Sequence, residues 1–168
     1  MTPPPSNPQH QRIGPGASHL VMDTNVVLDL WLFQNACSLQ ALARAKQLGL
    51  IWVSTAAMRA ELERVLAYPH LRARAAQAQR TDHDLLAQYD THVRVVEPQA
   101  VAAPRCKDVD DQKFVDLAVQ YRATLLSRDR QVLKLSKRLG RVAACSLTPE
   151  RWMAQEPTQG ANQVGRTP

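Results

Sequence analysis

Short apolar runs alternate with helical patterns along most of this chain, and no other feature restricts the fold so much. His19-Leu20-Val21-Met22 is an apolar run that ends at Asp23 and predicts a buried strand. Asn25–Leu32 continues it as a helix. Ser38–Leu48 is a second helix, capped by Ser38 and closed by Gly49. Leu50–Val53 is the next strand. Ser54 or Thr55 caps a helix that runs to Leu66 and stops before Pro69. Met58, Leu62, Val65 and Leu66 recur along it at helical spacing. Helical patterns follow at 70–79 and 82–91, the latter capped by Thr81 or Asp82, and Val93–Val96 is a strand. After a loop over Glu97–Lys107 come a helix Asp110–Tyr121, a strand Ala123–Ser127, a mostly helical Asp129–Leu139, a short strand Arg141–Cys145 and a short helix from Thr148.

Strand-then-helix alternation predicts an α/β chain in three layers. A central parallel sheet of four to five strands is covered by helices on both faces. Such open sheets bind ligands outside the carboxyl ends of their strands. Asp23 and Asp129 each follow an apolar strand, so this rule brings them close although they are far apart in sequence.

The chain has 168 residues, of which 45% are hydrophobic, enough for one domain with a substantial core. Residues 1–17, proline-rich with Gly14 and Gly16, read as a disordered leader, and 156–168 as a disordered tail, leaving 18–155 as the folded domain. No apolar run approaches bilayer length, and the polar start lacks a signal-peptide core, so a cytoplasmic protein is expected, with no membrane partner. Cys37, Cys106 and Cys145 are widely spaced, which argues against a disulfide framework or a zinc site. The net charge of +6 and the sequence pI of about 9.7 fit a polyanionic partner, and equally fit plain solubility charge.

The acids carry most of the chemical information. Asp23 at the end of a buried strand is costly unless it is paired or binds metal. It also suits a helix N-cap. Asn25 is placed to hold a neighbouring carboxylate by hydrogen bonding. Glu61 lies in mid-helix, where a solvated face is the plain alternative. Glu63 points elsewhere and can pair with Arg59. Asp108, Asp110 and Asp111 open a helix; one acid satisfies the macrodipole, and three in four residues exceed that need and repel one another. Asp129 repeats the layout of Asp23 and, like it, can serve as an N-cap. Carboxylate oxygens are the preferred ligands of magnesium and manganese. The five histidines show no ligand spacing with cysteines, and neither a phosphate-binding glycine loop nor a Gly-x-Ser-x-Gly elbow occurs.

Four stretches, in order, resemble the PIN-domain ribonucleases, and specifically the branch of toxin components of bacterial toxin–antitoxin pairs. They are Val21–Leu28, Ala60–Leu66, Cys106–Phe114 continuing to Ala118, and Leu125–Asp129. The resemblance covers about 18–153. It implies a PIN-like fold, magnesium or manganese, and hydrolysis of RNA. It implies that Asp23, Glu61, Asp111 and Asp129 are the metal-site acids, with Asp108 as a further ligand or supporting group and Ser127 orienting Asp129. Val109 departs from the proline common in this branch. The resemblance also implies a homodimer and a small antitoxin partner that blocks the pocket. Arg105, Lys107, Lys113, Arg128, Arg130 and Lys134 are candidates to guide the RNA backbone. Two other readings keep the fold: a non-catalytic nucleic-acid or protein-binding module, and a DNA-directed nuclease.

Overall fold

The computed structural model describes residues 18–155. The expected disordered ends, 1–17 and 156–168, lie outside the described residues. The strands are β1 (His19–Met22), β2 (Ile51–Ser54), β3 (Arg94–Val95), β4 (Thr124–Leu126) and β5 (Cys145–Leu147). The helices are α1 (Thr24–Trp31), α2 (Ala36–Gln47), α3 (Ala56–Leu66), α4 (Pro69–Gln77), α5 (Asp82–His92), α6 (Gln112–Tyr121), α7 (Arg130–Leu133), α8 (Ser136–Gly140) and α9 (Pro149–Met153). All strand pairs are parallel, in the order β3-β2-β1-β4-β5. This is the three-layer α/β architecture expected from the alternation.

Side-chain alternation along the strands explains the layers. Leu20, Met22, Trp52 and Leu126 point into one core, built with α1, α2, α4, α5, α9 and most of α3. Val21, Val53 and Leu125 point into the other, built mainly with α6, α7 and α8. A sheet covered on both faces needs strands that are largely apolar, so Leu20–Met22 of β1 and Leu125–Leu126 of β4 read as apolar runs. No single described helix is long and apolar enough to cross a membrane.

Three expectations need local correction. Helix α2 is capped by Asn35, whose side chain accepts from the Ser38 backbone N–H at 3.0 Å; Ser38 is buried inside the first turn. The mostly helical segment expected over Asp129–Leu139 consists of two short helices, α7 and α8, separated at Lys134–Leu135. The last strand begins at Cys145 rather than Arg141, because Arg141–Ala144 forms the turn out of α8, with Ala143 at φ 60.

The order places β1 and β4 side by side at the centre. The chain leaves β1 toward β2 and β3 on one side, and β4 leads to β5 on the other. This is a topological switch point, where a crevice opens at the carboxyl ends of the strands. Met22 is in register with Leu126, so Asp23 and Ser127 are the first residues beyond the paired region.

Candidate active site

Asp23 leaves β1 with its backbone N–H donating to the Leu126 carbonyl at 3.0 Å, and its side chain is only 3% exposed. One carboxylate oxygen accepts from the Val26 N–H at 3.0 Å, so Asp23 is the N-cap of α1. The other accepts a short hydrogen bond from the Ser127 hydroxyl. One side chain thus caps α1 and ties β1 to the turn after β4. Burial pushes the Asp23 carboxyl up to about 6, against the opposing pull of its hydrogen bonds from Ser127, Val26 and the Arg128 backbone.

Ser127 joins the two central acids. It donates to Asp23 and accepts from the Asp129 backbone N–H at 3.0 Å. Asp129 caps α7, with Oδ1 accepting from Gln131 and Val132 at 2.6 and 3.2 Å. The β4–α7 turn therefore holds Asp129 in a fixed position beside Asp23.

Glu61 comes from α3, across the crevice. Its Oε1 accepts from the Thr24 hydroxyl at 2.6 Å, and its Oε2 contacts the Lys113 ammonium. Lys113 also donates to the Asp110 carbonyl and sits 5.0 Å from the Phe114 ring centroid. Glu63 faces away and pairs with Arg59 at 3.6 Å.

Asp111 stands at the N-terminus of α6. Unlike Asp23 and Asp129 it makes no side-chain cap, and among the described residues its carboxylate has no hydrogen-bond or ion-pair partner. It is half-buried. Its pKa is pushed up to about 6, first by burial, then by the charges of Asp129, Asp108, Asp23 and Glu61 in that order. Five acids from four parts of the chain thus act on one neighbourhood. Asp108 is exposed and turned to the Asp110 N–H at 2.9 Å, so it contributes charge at the rim. Asp110 is exposed.

As the side chains stand, no group of three or more His, Cys, Asp or Glu among the described residues is arranged to hold a metal ion. The hydrogen bonds give the reason. Both oxygens of Asp23 are occupied, one oxygen of Asp129 caps a helix, and Glu61 is drawn to Lys113. In chemistry the donor set fits a hard divalent cation: all oxygen, mutually repelling, with Asp111 free to turn.

The remaining candidates are sorted by their partners. Asn25 is exposed and holds no carboxylate; Thr24, one residue earlier, makes that contact to Glu61 instead. The helical turn after Asp23 points Thr24 toward α3, a direction the sequence did not reveal. Arg128 is not free to guide a substrate. It contacts Asp29 and pairs with Glu150 at 2.8 and 3.1 Å. This Asp29–Arg128–Glu150 bridge joins α1, the β4–α7 turn and α9, and nothing in the spacing announced it. Lys113 is engaged with Glu61, whereas Arg105, Lys107, Arg130 and Lys134 are exposed.

A family model described as PIN domain matches residues 19–131, a span that includes all five acids named above. Comparison with curated proteins and with solved structures finds no match.

Proposed function

Because the chain belongs to the PIN-domain family, whose members are generally nucleases, we propose that it is a metal-dependent ribonuclease. The observation that carries this reading is Asp111. Among the described residues its carboxylate has no partner, and it lies in the combined field of Asp129, Asp108, Asp23 and Glu61. A fold tolerates such repulsion poorly without a counter-charge, and a divalent cation relieves it.

Asp23, Asp111 and Asp129 would hold magnesium or manganese, with Glu61 as a further ligand or as the group that positions water, and Asp108 at the rim. Once bound, the cation supplies activation of water and neutralisation of charge developing on the phosphate. The chain does the rest. Ser127 fixes Asp23 and the Asp129 backbone together, Thr24 aims Glu61, and Lys113 balances Glu61 until the acids are otherwise compensated. Attack of water on phosphorus breaks one P–O bond of the phosphodiester and leaves two shorter strands. As for partners, we read the chain as the toxin of a toxin–antitoxin pair. It would act as a homodimer and be held in check by a small antitoxin.

The test is cleavage of matched RNA and DNA by purified protein with and without manganese. RNA is cut only with the metal, and Asp23→Asn or Asp129→Asn lowers the rate by about 100-fold or more. Equal cutting by wild type and both variants would sink the proposal. Preferential cutting of DNA would move the activity to the other polynucleotide.

A further inference from the structure

The helical segment that follows Asp129 carries charge of one sign. Between Arg130 and Arg141 lie five cations, Arg130, Lys134, Lys137, Arg138 and Arg141, and no Asp or Glu occurs from Arg130 to Thr148. The whole chain has a net charge of +6, so this stretch accounts for most of the excess.

The fold sorts the segment into two faces. Val132, Leu135 and Leu139, at helical spacing, are buried in the core beneath β4. The five cations are all exposed. Among the described residues none of them joins a salt bridge. Other cations do: Arg59 with Asp90 and Glu63, Arg72 with Asp82, Lys113 with Glu61, and Arg128 with Asp29 and Glu150. A surface that serves only solubility intersperses both signs. Here like charges accumulate on two short helices, where mutual repulsion works against folding.

Position gives the row its meaning. It starts one residue after Asp129, at the edge of the acidic crevice. Arg138 donates to the Arg105 carbonyl at 3.4 Å, which ties the loop bearing exposed Arg105 and Lys107 to the same face. An acidic crevice repels a phosphate backbone, and a cationic strip beside it offsets that repulsion and raises the local concentration of polyanion. No Phe, Tyr or Trp occurs between Arg130 and Arg151, so the strip offers charge without a stacking platform.

We propose that the exposed cationic face of α7 and α8, extended by Arg105 and Lys107, is the docking track for the phosphodiester backbone of an RNA strand entering the acidic crevice. It reassigns the backbone contacts: Lys137, Arg138 and Arg141 replace Lys113 and Arg128, which are engaged in ion pairs with Glu61 and with Asp29 and Glu150. The inference rests on the nuclease reading. The track reads charge, so binding is indifferent to base sequence and strongly dependent on salt.

The test is binding of fluorescently labelled RNA to the full chain in metal-free buffer, by anisotropy over a salt series. The variant carries Lys137→Ala, Arg138→Ala and Arg141→Ala together, and circular dichroism checks its fold. Affinity falls about tenfold or more, and the slope of log affinity against log salt becomes shallower by roughly 2, at about 0.7 per lost contact. With manganese, the variant raises KM for a long RNA, leaves kcat unchanged, and cuts a very short RNA as wild type does. Unchanged affinity and slope overturn the track, and so does an equal loss on the short RNA. Tighter binding of polyglutamate than of RNA at matched charge also overturns it, in favour of an acidic protein partner. RNA binding that depends on the three cations, with no cleavage by wild type, supports the track and sinks the nuclease reading instead.

Discussion

Two sets of carboxylates occupy the carboxyl edge of the sheet, and the chain treats them in opposite ways. Asp29 and Glu150 are neutralised by Arg128, which reaches both from the turn after β4. The pairing holds the Glu150 pKa below the usual carboxylate range. Asp23, Glu61, Asp111 and Asp129, together with Asp108, have Lys113 as their one ion-pair partner among the described residues. There the pKa values of Asp23 and Asp111 rise to about 6. The same residue types at the same edge are thus compensated where they fasten helices and left uncompensated where the crevice opens. Uncompensated charge is a cost, and sites of chemistry are where folds commonly carry it.

The contrast is broken most directly with manganese. At about 100 times its dissociation constant the metal adds about 2.7 kcal/mol of stability, a thermal shift on the order of 5–10 °C for a chain this size. Asp129→Asn abolishes the shift, and Glu150→Gln, in the compensated set, keeps it. The shift also shrinks as pH falls through about 6, where Asp23 and Asp111 take up protons that compete with the metal. Equal loss in the two variants would show that the sets are not distinct. The readout is thermal denaturation with and without manganese.

A smaller effect concerns the metal-free protein. Asp23 has a folded pKa raised from 3.8 to about 6, so the protonated form is favoured by folding. The associated stability is present in acid and lost as pH rises through about 6, a span worth about 3 kcal/mol by the shift alone. Asp23→Asn recovers part of it, roughly 1–2 kcal/mol near neutral pH after its weaker hydrogen bonds are counted. The gain vanishes below the ordinary carboxylate range. Urea denaturation across pH measures it, and a variant less stable than wild type at neutral pH would contradict the account. Activity and stability then move in opposite directions at one residue.

The smallest effect belongs to the compensated set. Arg128→Met strands Asp29 and Glu150 and costs about 1 kcal/mol or less, because the bridge is partly solvated, with Glu150 49% exposed. Manganese-induced stabilisation persists in this variant. If it disappeared, the bridge would be serving the crevice after all, by holding the turn that carries Ser127 and Asp129.

Much of the fold was legible because the central strands β1 and β4 are buried on both sides. Leu20 to Met22 and Leu125 to Leu126 are short apolar runs bounded by polar residues, and period-two alternation divides them between two cores only after folding. The errors fell at edges. Ser38 looked like a cap by residue type, yet Asn35 had the extended backbone that a cap requires. The candidate site was legible as a set of acids, since Asp23 and Asp129 stand at strand ends and Asp111 in an excess of charge at a helix start. Their partners were not. Thr24, rather than Asn25, reaches Glu61, and Arg128, which looked available to a phosphate, is spent on Asp29 and Glu150.

The amino-acid sequence by itself determined the alternation of elements, the parallel sheet and the identity of the acids, because burial and helical period act on neighbours along the chain. Tertiary structure alone decided which charges meet. The order β3-β2-β1-β4-β5 places Asp23 next to Ser127, aims Glu61 and Asp111 at the same crevice, and pairs Arg128 across 99 residues of chain with Asp29. Electrostatic energy depends on distance in space and on exclusion of water, and neither quantity is written in the order of the residues.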